Sequence, residues 1–419
     1  MKVVFVQPRT GFKGHTWEAL NVGYLTSYLK GNYAGDLNIE FYSGFYDSDE
    51  TIVRACEDAD IVGITCTSPQ YKHGLLLANR IKDGTNRIVF GGFHPSALPD
   101  LVMKEPSIDI VVVGEGEKAM LQLVQDIDQG NKEVKRLYQC DFIEDLDTIP
   151  FPDRKTIKNE RNIDQAYRDN GVRITSILAS RGCPYRCAFC CSRTVWQRKT
   201  RTRSVRNVME EIQQLVKDWG IQFLKFSDDT FTHSRKWTID FCRLKVEMGV
   251  DLPYGCNAHV NTVDEEVLKQ LVDSNCKELW YGVESGSPDI LKDMHKSTSV
   301  EKIKRVFRLT KDYGIKTRAY FLLGMPNETI EDIGLTEKLC DDIEPDVVGF
   351  SLLSPFPCNE FYDHEIMKDW DWSSFDEYNN NWVHTKTLTN QQLKDEQKRL
   401  VEKYQQKITF RQKQENKEQ

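Results

Sequence analysis

Three cysteines dominate the chemistry this sequence can do. The segment Arg181-Gly182-Cys183-Pro184-Tyr185-Arg186-Cys187-Ala188-Phe189-Cys190 spaces its thiols four and three residues apart. Thiolates are soft ligands that hold iron–sulfur clusters. A cubane wants four ligands, so three cysteines leave one iron open to a substrate or cofactor. Zinc would call for a fourth Cys or His at suitable spacing. Cys191 is adjacent, but its side chain is expected to point elsewhere.

The elements that position this loop follow from hydrophobic pattern. From Arg173 onward, strands alternate with helices. Ile174–Ala179 reads as a strand that delivers the cysteine loop. Val205, Val208, Met209, Ile212, Leu215, Val216 and Trp219 recur at helical spacing. Further strands are expected at 223–226, near Tyr254, at 279–283, 317–323 and 347–353, with helices at 237–248, 264–272, 300–313 and 330–342. About six β/α units imply a partial or complete parallel barrel, with its site at the carboxyl ends of the strands.

An earlier alternating region occupies the first 125 or so residues. Short apolar runs at Val3–Val6, Ile39–Tyr42, Ile61–Thr65, Ile88–Phe90 and Ile110–Val113 read as strands, with helical spacing over Leu20–Tyr28 and Leu75–Ile81. This predicts a doubly wound, mostly parallel sheet. Its strand ends run into Thr65-Cys66-Thr67-Ser68, Gly91-Gly92-Phe93-His94-Pro95-Ser96 and Gly114-Glu115-Gly116-Glu117. Small residues and hydroxyls let backbone approach a large ligand, and ligands in such sheets sit beyond those strand ends. The expected division is 1–140, a linker at 141–172 that is acidic, proline-punctuated and then charged, a barrel at 173–355, and an irregular, aromatic extension at 356–419. That extension carries Trp370, Trp372 and Trp382, a weakly amphipathic helix with Leu393, Leu400, Val401, Tyr404 and Ile408, and a polar, frayed tail.

Composition narrows the class. The 419 residues carry 56 Lys+Arg against 64 Asp+Glu, a net charge of −8, which argues against a broad nucleic-acid surface. No stretch reaches the ~18 uncharged apolar residues of a membrane span, and the start is too short for a signal-peptide core. A cytoplasmic location is expected. In a large chain of that kind, twelve cysteines are not expected to form a disulfide framework.

The cysteine spacing, with Phe189 before the last thiol, resembles the signature of the radical S-adenosylmethionine (SAM) superfamily. The resemblance covers roughly 173–355. It implies a 4Fe-4S cluster on Cys183, Cys187 and Cys190, and SAM chelated by the open iron and cleaved to a 5′-deoxyadenosyl radical. The segment Phe226-Ser227-Asp228-Asp229-Thr230-Phe231 is similar to the family's acidic segment, suited to an aminoacyl ammonium. Tyr281-Gly282-Val283-Glu284-Ser285-Gly286-Ser287 resembles the segment on the ribose and aminoacyl part. Leu323-Gly324-Met325-Pro326-Asn327-Glu328-Thr329 resembles the loop near the adenine. The implied SAM contacts are Phe189, Asp228, Asp229, Glu284, Ser285 and Gly324. Many members carry an arginine near His259. A guanidinium clamps a carboxylate with two hydrogen bonds and an imidazole does not.

The first 125 residues resemble the cobalamin-binding domain fused ahead of such barrels. The fold class implied is α/β: a doubly wound Rossmann-like cobalamin-binding domain, a partial (β/α)6 radical SAM barrel and a short C-terminal helical region. The implied corrinoid contacts are Thr65, Thr67, Ser68, Gly91, Gly92, His94, Gly114, Glu115 and Gly116. The Asp-x-His-x-x-Gly motif that supplies a lower cobalt ligand elsewhere is absent; His15, His73 and His94 lack that context.

Together the two halves imply a methyltransferase. SAM would methylate the corrinoid to methylcobalamin, and a second SAM would be cleaved at the cluster. The radical would take hydrogen from an unactivated carbon, which then receives the methyl group. The acceptor is open among peptide or protein side chains, lipids, tetrapyrroles and small natural products. The expected electron donor is a flavodoxin or ferredoxin. Other readings are a cyclase or rearrangement enzyme without net methylation, and a methylthiotransferase, for which Cys56, Cys66 and Cys140 would have to hold a second cluster.

Two features stay open. The run Arg193, Arg198, Lys199, Arg201, Arg203 and Arg206 is either a solvated loop or an anion contact. Cys242, Cys256, Cys276, Cys340 and Cys358 are expected to be packing residues. The segment from Trp370 to Trp382 is read as a cap on the barrel's hydrophobic edge in preference to a closure of its mouth.

Overall fold

The computed structural model describes residues 1–10, 18–130, 134–368, 370–375 and 380–408. His15 and the polar tail lie outside them. The chain divides into two compact units.

The first unit holds residues 1–165, 191–197 and 356–374. Its apolar runs become β1 (Lys2–Gln7), β2 (Asn38–Ser43), β3 (Ile61–Thr65), β4 (Arg87–Gly91) and β5 (Ile110–Val113), joined by a short β6 (Leu137–Gln139). All pair in parallel, in the order β2-β1-β3-β4-β5-β6. Side chains are covered on both faces of such a sheet, so its strands read as unbroken apolar runs; Val3, Val4 and Val6 have no exposed surface. Strand order reverses between β1 and β3, which opens a crevice at the carboxyl ends. The helix expected at 75–81 begins earlier, at Ser68, because Thr67 and Gln70 form a capping box and Pro69 suits the first turn.

Residues 141–165, read in sequence as part of a linker, pack as a strap. Ile143, Leu146, Ile149, Ile157 and Ile163 are buried. Asp153 accepts from Lys30 Nζ at 2.7 Å, and its own N–H donates to Gly23 O at 3.0 Å. Helix Ser192–Trp196 is fastened to the 356–374 segment. Thr194 Oγ1 donates to Cys358 O at 3.0 Å, and Arg193 pairs with Glu360. Cys191 and Cys358 are joined by a disulfide, with Cα atoms 4.8 Å apart. This corrects the reading of Cys358 as a packing residue: Arg193 and Thr194 draw its backbone under Cys191. The other ten cysteines are not disulfide-bonded.

The second unit holds residues 166–190, 198–355 and the described residues from 375 onward. Its sheet is β7 (Ile174–Ile177), β10 (Phe223–Phe226), β11 (Tyr254–Ala258), β12 (Cys276–Glu284), β13 (Lys316–Leu323) and β14 (Val347–Leu352), all parallel and in sequence order. This is an open half-barrel of six strands. Between β7 and β10 lies a two-residue hairpin pair, β8 (Ser180–Arg181) and β9 (Arg201–Thr202). Helix Val205–Trp219 starts on a Ser204 N-cap and ends at left-handed Gly220. It buries Val208, Met209, Ile212 and Leu215, whereas Val216, assigned to the same face, is 42% exposed.

The free edge of β14 is a liability that an open barrel must cover. Val348 N–H donates to Lys407 O at 2.8 Å, and helix Asn390–Lys403 sends Gln397 Nε2 to Phe350 O at 2.9 Å. Residues beyond 380 thus cap that edge. Among the described residues no helix is long and apolar enough to cross a membrane.

Candidate functional site

The cysteine loop leaves β7 through β8. Cys183, Cys187 and Cys190 lie outside the disulfide and are half-buried. Cys183 Sγ lies 3.4 Å from Thr230 Oγ1, and Ala188 N–H donates to Met294 O at 3.0 Å, which ties the loop to the strand ends. Among the described residues no three His, Cys, Asp or Glu side chains surround a single point. The three thiols are separate donors on one loop, the arrangement a multi-iron cluster uses because each ligand takes a different iron. Burial pushes the Cys187 thiol up, and the Lys296 ammonium pulls it back toward thiolate.

Lys296 is the residue that sequence reasoning missed. Its Nζ donates to Glu284 Oε1 at 2.8 Å, and the two side chains are 6% and 11% exposed. Glu284 ends β12 at a register shift and has φ +69°, a costly left-handed conformation for a non-glycine. The irregularity turns its carboxylate onto Lys296. Burial lowers the affinity of the lysine for its proton; the charges of Glu284 and Cys187 outweigh that and raise it. Lys296 follows His295 in an unremarkable polar stretch, so no local pattern announces it.

Asp228 is 1% exposed, and its carboxylate is already engaged. Oδ2 accepts from Ala179 N–H at 3.1 Å and Oδ1 from Ser180 Oγ at 2.5 Å. Burial pushes it up to about 6 against those donors. It pins the cysteine loop to β10, while Asn257 Nδ2 holds Asp228 O at 3.0 Å. Ser285 is buried and bonds Thr336 Oγ1 at 3.1 Å. Gly286 packs where a Cβ would strike the Leu335 carbonyl. Gly286→Ala should therefore cost about 1–3 kcal/mol as overpacking, read as a lower urea midpoint with unchanged slope.

His259 follows β11 and lies flat on Tyr185 of the cysteine loop, ring centroids 3.7 Å apart. Its Nδ1 accepts from Asn261 N–H at 3.1 Å. Burial and then the Lys296 charge push it down to about 3, so it is neutral. Gly324 sits at φ +95°, with Val383, Leu393 and Leu353 around it. Glu328 Oε2 accepts from its N–H at 2.5 Å and from Met325 N–H at 3.3 Å. Glu328 has no exposed surface, and burial pushes its carboxyl up to about 7. A raised carboxyl gives stability that is full below its unfolded value near 4.5 and is lost as pH rises through 7. Glu328→Gln should flatten the decline in unfolding free energy between those limits, measured by urea titration at stepped pH.

The basic run is divided: Arg198, Lys199 and Arg206 are exposed, whereas Arg201 and Arg203 turn inward. Arg201 and Arg203 are each 5% exposed. Arg203 Nη1 donates to Glu211 Oε2 at 2.6 Å and to Leu178 O at 2.8 Å.

In the first unit, the loop after β4 holds the end of β5, and the end of β3 is tied to helix Leu20–Asn32. Gly114 N–H donates to Ser96 Oγ at 3.0 Å, and Thr65 Oγ1 accepts from Asn21 Nδ2 at 2.9 Å. Gly92 has φ +101°, and a Cβ there would lie 2.8 Å from Cys66 O. A Cβ on Gly114 would meet nothing within 4 Å, so that strand end has open space over its backbone. Half-exposed Thr65, Thr67, Gly91 and Gly114 line these ends. They fit a bulky ligand that lies on peptide backbone. Ser68 and His94 instead hold each other at 3.0 Å, with His94 stacked on Tyr71 and pushed down to about 4 by burial. Glu115 is buried and accepts from Ile143 N–H at 3.1 Å. Gly116 packs on Leu25.

A parallel half-barrel whose first strand feeds a three-thiol loop, preceded by a doubly wound sheet with open strand ends, defines a cluster-dependent class with a second large cofactor. Residues 177–340 match the Radical SAM superfamily, and residues 14–124 match the B12 binding domain. The chain is 30% identical over 392 residues to an uncharacterized methyltransferase of Pyrococcus horikoshii, covering 87% of this chain and 83% of that protein. It is 30% identical over 408 residues to the anaerobic magnesium-protoporphyrin IX monomethyl ester cyclase of Rubrivivax gelatinosus, covering 90% and 72%. The radical SAM methyltransferase TsrM of Kitasatospora setae, solved with cobalamin and a 4Fe-4S cluster, shares the fold at TM-score 0.72 and 20% identity, over 86% of this chain and 73% of that one. The chain belongs to the cobalamin-dependent radical SAM family, whose cofactors are a 4Fe-4S cluster, SAM and cobalamin.

Proposed function

We propose that this protein is a radical SAM C-methyltransferase acting on an unactivated carbon. The observation that carries the reading is the loop of three thiols outside any disulfide, in a chain that also matches the B12 binding domain. When bound, the cluster supplies the electron that cleaves SAM and the corrinoid supplies the methyl group. Cys183, Cys187 and Cys190 would hold the cluster. Glu284, oriented by Lys296, Asp229, Phe189, Ser285 and Gly324 would surround SAM. Asp228 would act by fixing the loop. Thr65, Thr67, Gly91, Gly92 and Gly114 would carry the corrinoid, with Ser68, His94, Glu115 and Gly116 shaping the loops beneath it. We place the enzyme in the cytoplasm, supplied with electrons by a flavodoxin or ferredoxin.

The cyclase similarity keeps a second reading, rearrangement without net methylation. The methylthiotransferase reading has less support. Cys56 and Cys66 are sealed in one apolar core, where burial pushes Cys56 up to about 12, and Cys140 lies outside that core. The test is anaerobic reconstitution with iron, sulfide and cobalamin, followed by reduction with SAM and candidate tetrapyrrole, lipid and peptide acceptors. A methylase yields S-adenosylhomocysteine together with 5′-deoxyadenosine, and its product gains one methylene unit. Deoxyadenosine alone with no mass gain would point to the cyclase.

A further inference from the structure

Cys183 to Cys191 spans four thiols, one more than an open-cornered cluster takes. Cys190 and Cys191 are neighbours, and either could serve as the third ligand when iron first arrives. The structure withdraws one of them. Cys191 is bonded to Cys358 across a Cα separation of 4.8 Å, within the range a disulfide spans without backbone movement. The approach is built from both sides. Thr194 Oγ1 and Arg193 Nε donate to the Cys358 carbonyl at 3.0 and 3.5 Å, and Arg193 also pairs with Glu360. Cys358 is 7% exposed, whereas Cys191 is half-buried, so Cys191 is the more accessible residue of the pair. No other pair among the twelve cysteines is bonded.

We infer that Cys191 and Cys358 form a reversible thiol–disulfide site that selects the cluster ligands by removing Cys191 from competition with Cys190. The inference rests on the cluster being held by Cys183, Cys187 and Cys190. Closure converts two thiols into one disulfide. Two protons leave, and two electrons pass to a low-molecular-weight disulfide, which becomes two thiols. Opening is the reverse exchange, started at Cys191. Cys358 is a positioning residue here: it touches no cofactor and acts through Cys191.

The test compares the full chain with Cys358→Ser, Cys191→Ser and the double variant. Anaerobic protein is equilibrated over a range of glutathione to glutathione-disulfide ratios, alkylated and mapped by mass spectrometry. The expected result is a Cys191–Cys358 linked peptide at oxidising ratios and both thiols alkylated at reducing ratios. A peptide that stays unlinked at every ratio, or linked at every ratio, overturns the inference. Each protein, first equilibrated at an oxidising ratio, is then freed of glutathione and reconstituted with iron and sulfide without added thiol, and the reduced cluster's electron paramagnetic resonance is recorded with and without SAM. With a second soft ligand released to compete for iron, Cys358→Ser should leave a measurable fraction of the cluster unresponsive to SAM. The double variant and Cys191→Ser should return to the wild-type response. Equal spectra for Cys358→Ser and wild type, or a deficit that persists in the double variant, overturn the inference while the cluster reading stands. A wild-type protein without any SAM-responsive cluster removes that reading itself.

Discussion

Cys187→Ala will purify without its cluster and release no detectable 5′-deoxyadenosine, although its sheet will still form. The thiol is one of three donors on a loop otherwise held by the Ala188–Met294 backbone bond, the Asp228 strut and the Tyr185–His259 stack. None of these depends on the Cys187 sulfur, so secondary structure should survive. Two thiolates leave two irons of a cubane without protein ligands, and the loss of such ligation abolishes assembly instead of weakening it. The measurements are iron and sulfide per chain and deoxyadenosine after reduction with SAM. Cys66→Ala is the control. That thiol is 2% exposed in the core of the first unit, so its loss should cost about 1 kcal/mol as a small cavity and leave iron content at the wild-type level. Full iron in Cys187→Ala would mean that the loop is not the cluster site.

The difference between these two cysteines was readable from spacing, and so was much of the frame around them. Val3–Val6 and Ile61–Thr65 announced strands because a sheet covered on both faces needs no polar alternation. Val205–Trp219 announced a helix by its spacing. What escaped were features with short local segments or long-range causes. The pair β8 and β9 has two residues per strand and is closed across the basic run, so neither half carries a pattern. The edge strand β6 is Leu-Tyr-Gln, with only Tyr138 buried. The strap at 141–165 looked like a connector because its buried isoleucines are spread among charges that pair with the first helix of the unit.

The site divides in the same way. Thiol spacing located the three-cysteine loop, and hydrophobic pattern located Glu284 and Gly324 at strand ends. Asp228 was expected as a ligand for an ammonium, but its two oxygens serve Ala179 and Ser180, because a carboxylate that leaves the strand end into a crowded loop finds backbone donors first. Lys296 could not be read at all. It stands twelve residues after Glu284 and reaches it only because the chain folds back after helix Pro288–Asp293.

Lys296→Met is accordingly the substitution with the largest expected effect on the folded chain. It leaves the Glu284 carboxylate in place, 11% exposed, in a left-handed conformation that already stores strain and without the ammonium it pairs with. Breaking a buried pair from one side costs about 3–5 kcal/mol, because the surviving charge keeps its desolvation penalty and loses its attraction. Removing both charges together, in Glu284→Gln with Lys296→Met, should recover most of that, since the penalty disappears with the charge. Guanidinium unfolding of the wild type, both single variants and the double variant closes the cycle. Equal stabilities for Lys296→Met and wild type would show that the pair holds nothing. The same cycle separates fold from site. The Lys296 ammonium also favours the thiolate form of Cys187. At that thiol the Lys296 charge outweighs the opposing Glu284 charge, so the double variant, although refolded, should hold its cluster at a more negative reduction potential than the wild type and bind SAM more weakly. Stability would then return without the site returning, as expected if the ion pair is kept for the charge it presents to the cluster and the carboxylate it aims, and not for the few kcal/mol it contributes to folding.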